Sequence, residues 1–304
     1  MNNFEYRVVS STIYSQCLNK ANELLEEIAK YLNKPVSKVA PLDVIAYFEA
    51  NYNILFTFFE TDPHAPIKYN DIVKNYKFSF LDDYIVREMS GVTIPQNGKN
   101  VIMINQTKPK SRIIFTILHE LSHLYFHGIE ANKKIFASKF SGVYPAELMP
   151  FEDEANIIAS ILFCPTLKLE TFLTRNYSFN NICTSINISK TALRNRLLNY
   201  FYHIIGLSYK EALDLVSEFI NGNYKSARQI KSLIDKKNFK PTTKFLPVKT
   251  SRGVIENQQE CIIFLQKLSI EELLFEQDYA YHYKNYTLLQ LVMNEYLKKQ
   301  QSNI

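Results

Sequence analysis

Apolar positions near the start of the chain recur at helical spacing. Ile13, Cys17, Ala21, Leu24, Leu25, Ile28 and Leu32 form one stripe across Ser11–Asn33, which predicts an amphipathic helix. Pro41 stands where a second helix would start, with Val44, Ile45 and Phe48 facing one way after it. The pattern then changes. Asn53–Phe59 is a β-branched and aromatic run, and it reads as a strand. Tyr76–Phe80 and Val86–Ile94 read the same way, with 61–75 as a loop. Gln96–Asn100 is a turn signal, and the strand Val101–Asn105 follows it. Helical spacing returns over Arg112–His127, with Gly128 as its natural stop, and over Phe151–Phe163, which Pro165 ends. Between them, 129–149 reads as irregular. From 166 onward the pattern is helical nearly throughout, with a proline-bounded linker candidate at 241–247.

This order predicts an α+β fold. A small, mostly antiparallel sheet precedes the Arg112–His127 helix, and all-helical regions follow. Four segments are expected: 1–40, 41–165, 166–206 and 207–304. The composition, 46% hydrophobic and 21% charged, fits a globular protein. With 7 Gly, and no phosphate-loop motif, nucleotide chemistry has no seat. A net charge of +5 is too small for a dedicated nucleic-acid binder. Basic residues gather only at Lys190–Arg196 and Lys225–Lys240. The 4 cysteines include no C-x-x-C pair, which predicts reduced thiols and a cytoplasmic protein. The first residues lack a secretory pattern, and no apolar run is long enough to span a membrane.

The chemistry sits at His119-Glu120-Leu121-Ser122-His123. Two histidines four residues apart share a helix face, so both can bind one Zn2+. Glu120 is turned roughly 100° away. From there its carboxylate reaches a water at the metal rather than the metal itself, which is what a general base needs. A third ligand is still required. Ile129 occupies the position where a metzincin would place its third His, so that arrangement fails. His127 has the wrong spacing and reads as a helix-end histidine. The better candidates lie in Phe151-Glu152-Asp153-Glu154-Ala155-Asn156. Glu152 is preferred over its competitor Glu154, because Glu152 and Asn156 share a face one turn apart. Asn156 can then hydrogen-bond the outer nitrogen of a ligating His. The strand Val101, Ile102, Met103, Ile104 and Asn105 is expected to be an open edge that takes up substrate as an added strand.

These stretches resemble the ImmA/IrrE family of metallopeptidases, whose motifs read HELGH and a later E-x-E-A-N-x-F-A-x-x-L-L-M-P. Here Ser122 replaces Gly, Ile158 replaces Phe, and Phe163-Cys164 replaces Leu-Met. The resemblance covers about residues 40–200. It extends into Ile186–Leu197, a helix-turn-helix-like element with Ser189 as the cap of its second helix. It implies a zincin-like core of the gluzincin kind with one Zn2+ per chain, held by two His and the Glu at 152, and a catalytic Glu120. It also implies site-specific cleavage of a helix-turn-helix repressor that controls a mobile element, a prophage or a stress response. The alternative is a DNA-binding regulator in which Lys190, Arg194 and Arg196 contact DNA and the zinc fold is structural or vestigial. A second alternative is a protein-binding module such as a toxin–antitoxin component, using 207–304.

Overall fold

A computed structural model describes residues 8–96, 99–127, 136–139, 148–238, 248–255, 258–283 and 285–301. They form two compact units that divide between Lys237 and Asn238. The first unit begins with helix α1, Ser11–Tyr31, which Ser10 caps by accepting from the Ile13 N–H. Its buried stripe includes Cys17, Ala21, Leu24, Leu25 and Ile28. Helix α2, Pro41–Asn51, starts on its proline, and the Asp43 carboxylate accepts from the Ala40 N–H at 2.7 Å.

Strands β1 (Ile54–Glu60), β2 (Tyr76–Phe80), β3 (Met89–Gln96), β4 (Lys99–Asn105) and β5 (Phe136–Lys139) form one sheet in the order β2-β1-β4-β3-β5. The short helix α3, Asp83–Glu88, takes the start of what reads as a strand over Val86–Ile94. The fold is α+β, but the sheet is mixed rather than mostly antiparallel. β1 runs parallel to both β2 and β4, while β3 runs antiparallel to both β4 and β5. β4 therefore lies inside the sheet. Met103 is registered with Thr57 on one side and Val92 on the other. The expectation of an open substrate edge at Val101–Asn105 is corrected: both ladders of β4 are filled, and Val101, Ile102, Ile104 and Asn105 are buried.

Helix α4, Lys110–Phe126, packs against β3 and β4 on one side and against α2 and helix α5, Met149–Phe163, on the other. Enclosure on several sides explains why every residue from Ile113 to His123 except Phe115 is buried. α5 also lies against α1. The unit continues with α6 (Thr166–Thr174), α7 (Phe179–Ile186), α8 (Lys190–Asn199), α9 (Tyr209–Ile220) and α10 (Tyr224–Asn238). One continuous apolar core runs from Tyr14 to Ile234, so the helices on both sides of the boundaries expected at 40, 165 and 206 share it. α7 and α8 form the expected helix-turn-helix-like pair. Asn187 turns in the left-handed region at φ 51°, and Ser189 caps α8 by accepting from the Ala192 N–H.

The second unit has its own core around Val248, Cys261, Leu265, Leu273, Leu288 and Val292. It contains a hairpin of β6 (Val248–Thr250) and β7 (Gly253–Ile255), followed by α11 (Gln258–Lys267), α12 (Ile270–His282) and α13 (Tyr286–Gln301). No single helix among the described residues is long and apolar enough to cross a membrane. All four cysteines are free. The expected stop at Gly128 and the linker candidate at 241–247 lie outside the described residues, as does most of 129–149; β5 is a strand within that last stretch.

Candidate metal centre

Helical periodicity places His119 and His123 on the side of α4 that faces α5, and α5 brings Glu152 to them from its first turn. His119 Nε2 lies 3.0 Å from His123 Nε2. The Glu152 oxygens lie 3.2 Å from His119 Nε2 and 3.4 Å from His123 Nε2. Bonds of about 2.0–2.1 Å in a tetrahedral shell would set neighbouring ligand atoms about 3.3–3.4 Å apart, so these three donors fit one small divalent ion. All three side chains are buried, and they form the group among the described residues that could hold a metal. The Glu152 Oε2 and the His119 Nδ1 have no hydrogen-bond partner among the described residues. A buried carboxylate oxygen at this convergence is costly without a cation to face it.

Glu152 and His123 lean towards the deprotonated state that a cation needs, while His119 leans towards holding a proton that an ion would displace. Burial alone would raise the Glu152 carboxyl, but the two imidazoles outweigh it and hold it down at about 2. Burial pushes His123 down to about 4. Burial acts on His119 in the same sense, but the Glu152 carboxylate prevails and raises it.

Glu120 is not one of the three converging donors, but its charge acts on His119 beside them. Its Oε2 accepts from the Thr93 hydroxyl at 2.7 Å. A Cβ at Gly91 would sit 2.4 Å from Thr116 Cγ2 and 3.5 Å from Glu120 Oε1. Gly91 thus lets α4 approach β3 closely beside this carboxylate. Ser122, which stands where the resembled motif has Gly, is buried and donates its hydroxyl to the Leu118 carbonyl at 2.7 Å. The extra hydroxyl is satisfied within the helix, so the departure costs the site little.

Two assignments made from the sequence are corrected. Asn156 is exposed, so it does not back a ligating histidine. The buried stripe of α5 runs through Glu152, Ala155, Ala159 and Leu162, and Asn156 falls on its solvent side. Arg196 is fully buried. It donates to the Cys164 carbonyl at 3.1 Å, the Tyr14 hydroxyl at 3.2 Å and the Thr166 hydroxyl at 2.8 Å. It ties α8 to α1 and to the end of α5, and it cannot reach DNA. Lys190 is exposed and Arg194 partly so. Glu154, the competitor of Glu152, is not one of the three converging donors and pairs with Lys20 of α1.

Thr93 and Gly91 are the residues that sequence reasoning missed. Both lie on a strand with no motif of its own, and only sheet pairing brings them to α4. His127 reads as a bland helix-end residue, yet its Nδ1 lies 2.8 Å from His123 Nδ1. The signal was present, since His127 continues the four-residue spacing of His119 and His123.

Residues 82–198 match the family model described as Peptidase_M78, the IrrE N-terminal-like domain. No curated protein matches the chain. No solved structure matches it either.

Proposed function

We propose, from the match of residues 82–198 to the IrrE N-terminal-like peptidase family model, that this chain is a zinc-dependent endopeptidase acting on a helix-turn-helix transcriptional repressor in the cytoplasm. The observation that carries the reading is the convergence of His119, His123 and Glu152 with Glu120 beside them and not one of the donors. His119, His123 and Glu152 would hold the ion. When bound, it supplies Lewis-acid polarisation of a scissile carbonyl and makes the attacking water more acidic. Glu120 would accept a proton from the attacking water and pass it to the departing amine nitrogen. Thr93 fixes the orientation of the Glu120 carboxylate from β3. The burial of Glu120 keeps bulk water from competing for it.

The DNA-binding alternative loses one of its three contacts, because Arg196 is a core residue. The test is co-expression of this chain with a repressor encoded beside it, followed by mass spectrometry. One cleavage site in the repressor, absent with Glu120→Gln, is the expected result. An intact repressor beside zinc-loaded wild-type protein would overturn the repressor as substrate. A biological effect that survives Glu120→Gln would overturn proteolysis itself.

A further inference from the structure

Beyond the three ligands, a line of polar side chains leaves the site along α4 and crosses to α5 and α1. His123 Nδ1 lies 2.8 Å from His127 Nδ1. His127 Nε2 lies 3.6 Å from Glu154 Oε2. Glu154 in turn pairs with the Lys20 ammonium. The His127 side chain is 3% exposed, and its ring meets Phe151 edge-on, with centroids 5.1 Å apart.

The proton positions follow from chemistry. If His123 binds a cation through Nε2, its neutral ring carries its proton on Nδ1. That proton can only be donated, so His127 Nδ1 must accept it. A neutral His127 then carries its own proton on Nε2, on the side of the Glu154 carboxylate. The Glu154 carboxylate is in turn paired with the Lys20 ammonium of α1. The contacts thus run in one line from Lys20 through Glu154 and His127 to the ligand His123.

We propose that His127 and Glu154, anchored by Lys20, are positioning residues that set the tautomer and ring orientation of the metal ligand His123. The proposal deepens the metal-site reading and rests on it. It also gives the second acidic residue of Glu152-Asp153-Glu154 a role distinct from ligation. And it moves the outer support of the site from Asn156, which is exposed, to His127 at the end of α4 itself.

The test uses the full chain and Co2+, whose visible absorption reports ligand geometry, with Zn2+ affinity measured by competition against a chelator. Outer partners of ligating histidines typically contribute about 10–100-fold to metal affinity. His127→Ala is therefore expected to keep one ion per chain, lose about tenfold or more in Zn2+ affinity, and show an altered cobalt spectrum. His127→Asn can accept from His123 Nδ1 through its amide oxygen, so it should recover much of the loss. Glu154→Gln, on a partly exposed side chain, is a second variant that does not open a cavity, and it should weaken binding in the same direction. A role in packing alone would lower the melting temperature of the metal-free protein while leaving affinity and spectrum at wild-type values, and that result would overturn the proposal. If wild-type protein takes up no cobalt, the metal-site reading falls and the proposal falls with it. If wild type binds cobalt and all three variants match it, only the positioning role falls.

Discussion

Glu120 works from a place where its neighbours are small. Gly91 makes room beside its carboxylate, and Thr93 donates to it. Glu120→Gln keeps the shape and leaves the three donors untouched. It is expected to retain one metal ion per chain and to lose about 10²–10⁴-fold in turnover, the usual share of a general base. Metal analysis beside a cleavage assay checks both halves. Gly91→Ala acts on the same contact by overpacking. A Cβ 2.4 Å from Thr116 Cγ2 must push α4 from β3, at about 1–3 kcal/mol of stability, readable as a lower urea midpoint. Glu154 supplies a pH dependence. The His127 contact and the Lys20 ammonium hold its carboxyl down at about 2, below the ordinary 4.5 of a glutamate. The stabilisation is therefore complete above about 4.5 and is lost as pH falls towards 2. Urea midpoints of the metal-free protein across that window should fall for wild type, and fall less for Glu154→Gln.

At the scale of elements, position in the sheet and on the helix decides what a residue can do. β4 has the alternating and apolar look of a binding edge, yet it is paired on both sides and serves as floor beneath α4. α8 carries a basic stretch that resembles a DNA reader, yet Arg196 is a tie within the core. Arg196→Met would leave the Cys164 carbonyl and the Tyr14 and Thr166 hydroxyls without their donor. Each unpaired buried acceptor costs about 1–3 kcal/mol, so the variant is expected to be about 3 kcal/mol or more less stable by chemical denaturation. The helix-turn-helix-like pair is on this view a structural part of the first unit.

The whole molecule divides into two cores. All residues of the metal centre, its outer chain and the sheet belong to the first, and the residues of the second core lie between Val248 and Val292. A chain ended after Asn238 should therefore unfold cooperatively and bind one metal ion, as checked by calorimetry and metal analysis. Loss of metal binding in that shortened chain would show that the second unit supports the site.

Short-range features were readable from the chain alone. The four-residue repeat of His119, His123 and His127 is a property of helix geometry. The long helices α1, α2, α4 and α5, the strands β1, β2 and β4 and the Ser189 cap follow from spacing within about a turn or a strand. The α+β class follows from their order. The limits are equally physical. Periodicity says that Glu152 and Asn156 share a side of α5, but not how that side is rotated towards α4, and the rotation left Asn156 in solvent. Alternation marks β4 as a strand, but its two partners come from segments elsewhere in the chain, so only folding determines whether it is an edge. Charge marks Arg196 as polar, while three acceptors from distant segments make its burial tolerable. The sequence by itself singled out the residues on which the proposed chemistry rests. The tertiary structure decided what supports them: Thr93 and Gly91 behind Glu120, and His127 and Glu154 behind His123, because those contacts join elements that no local pattern links.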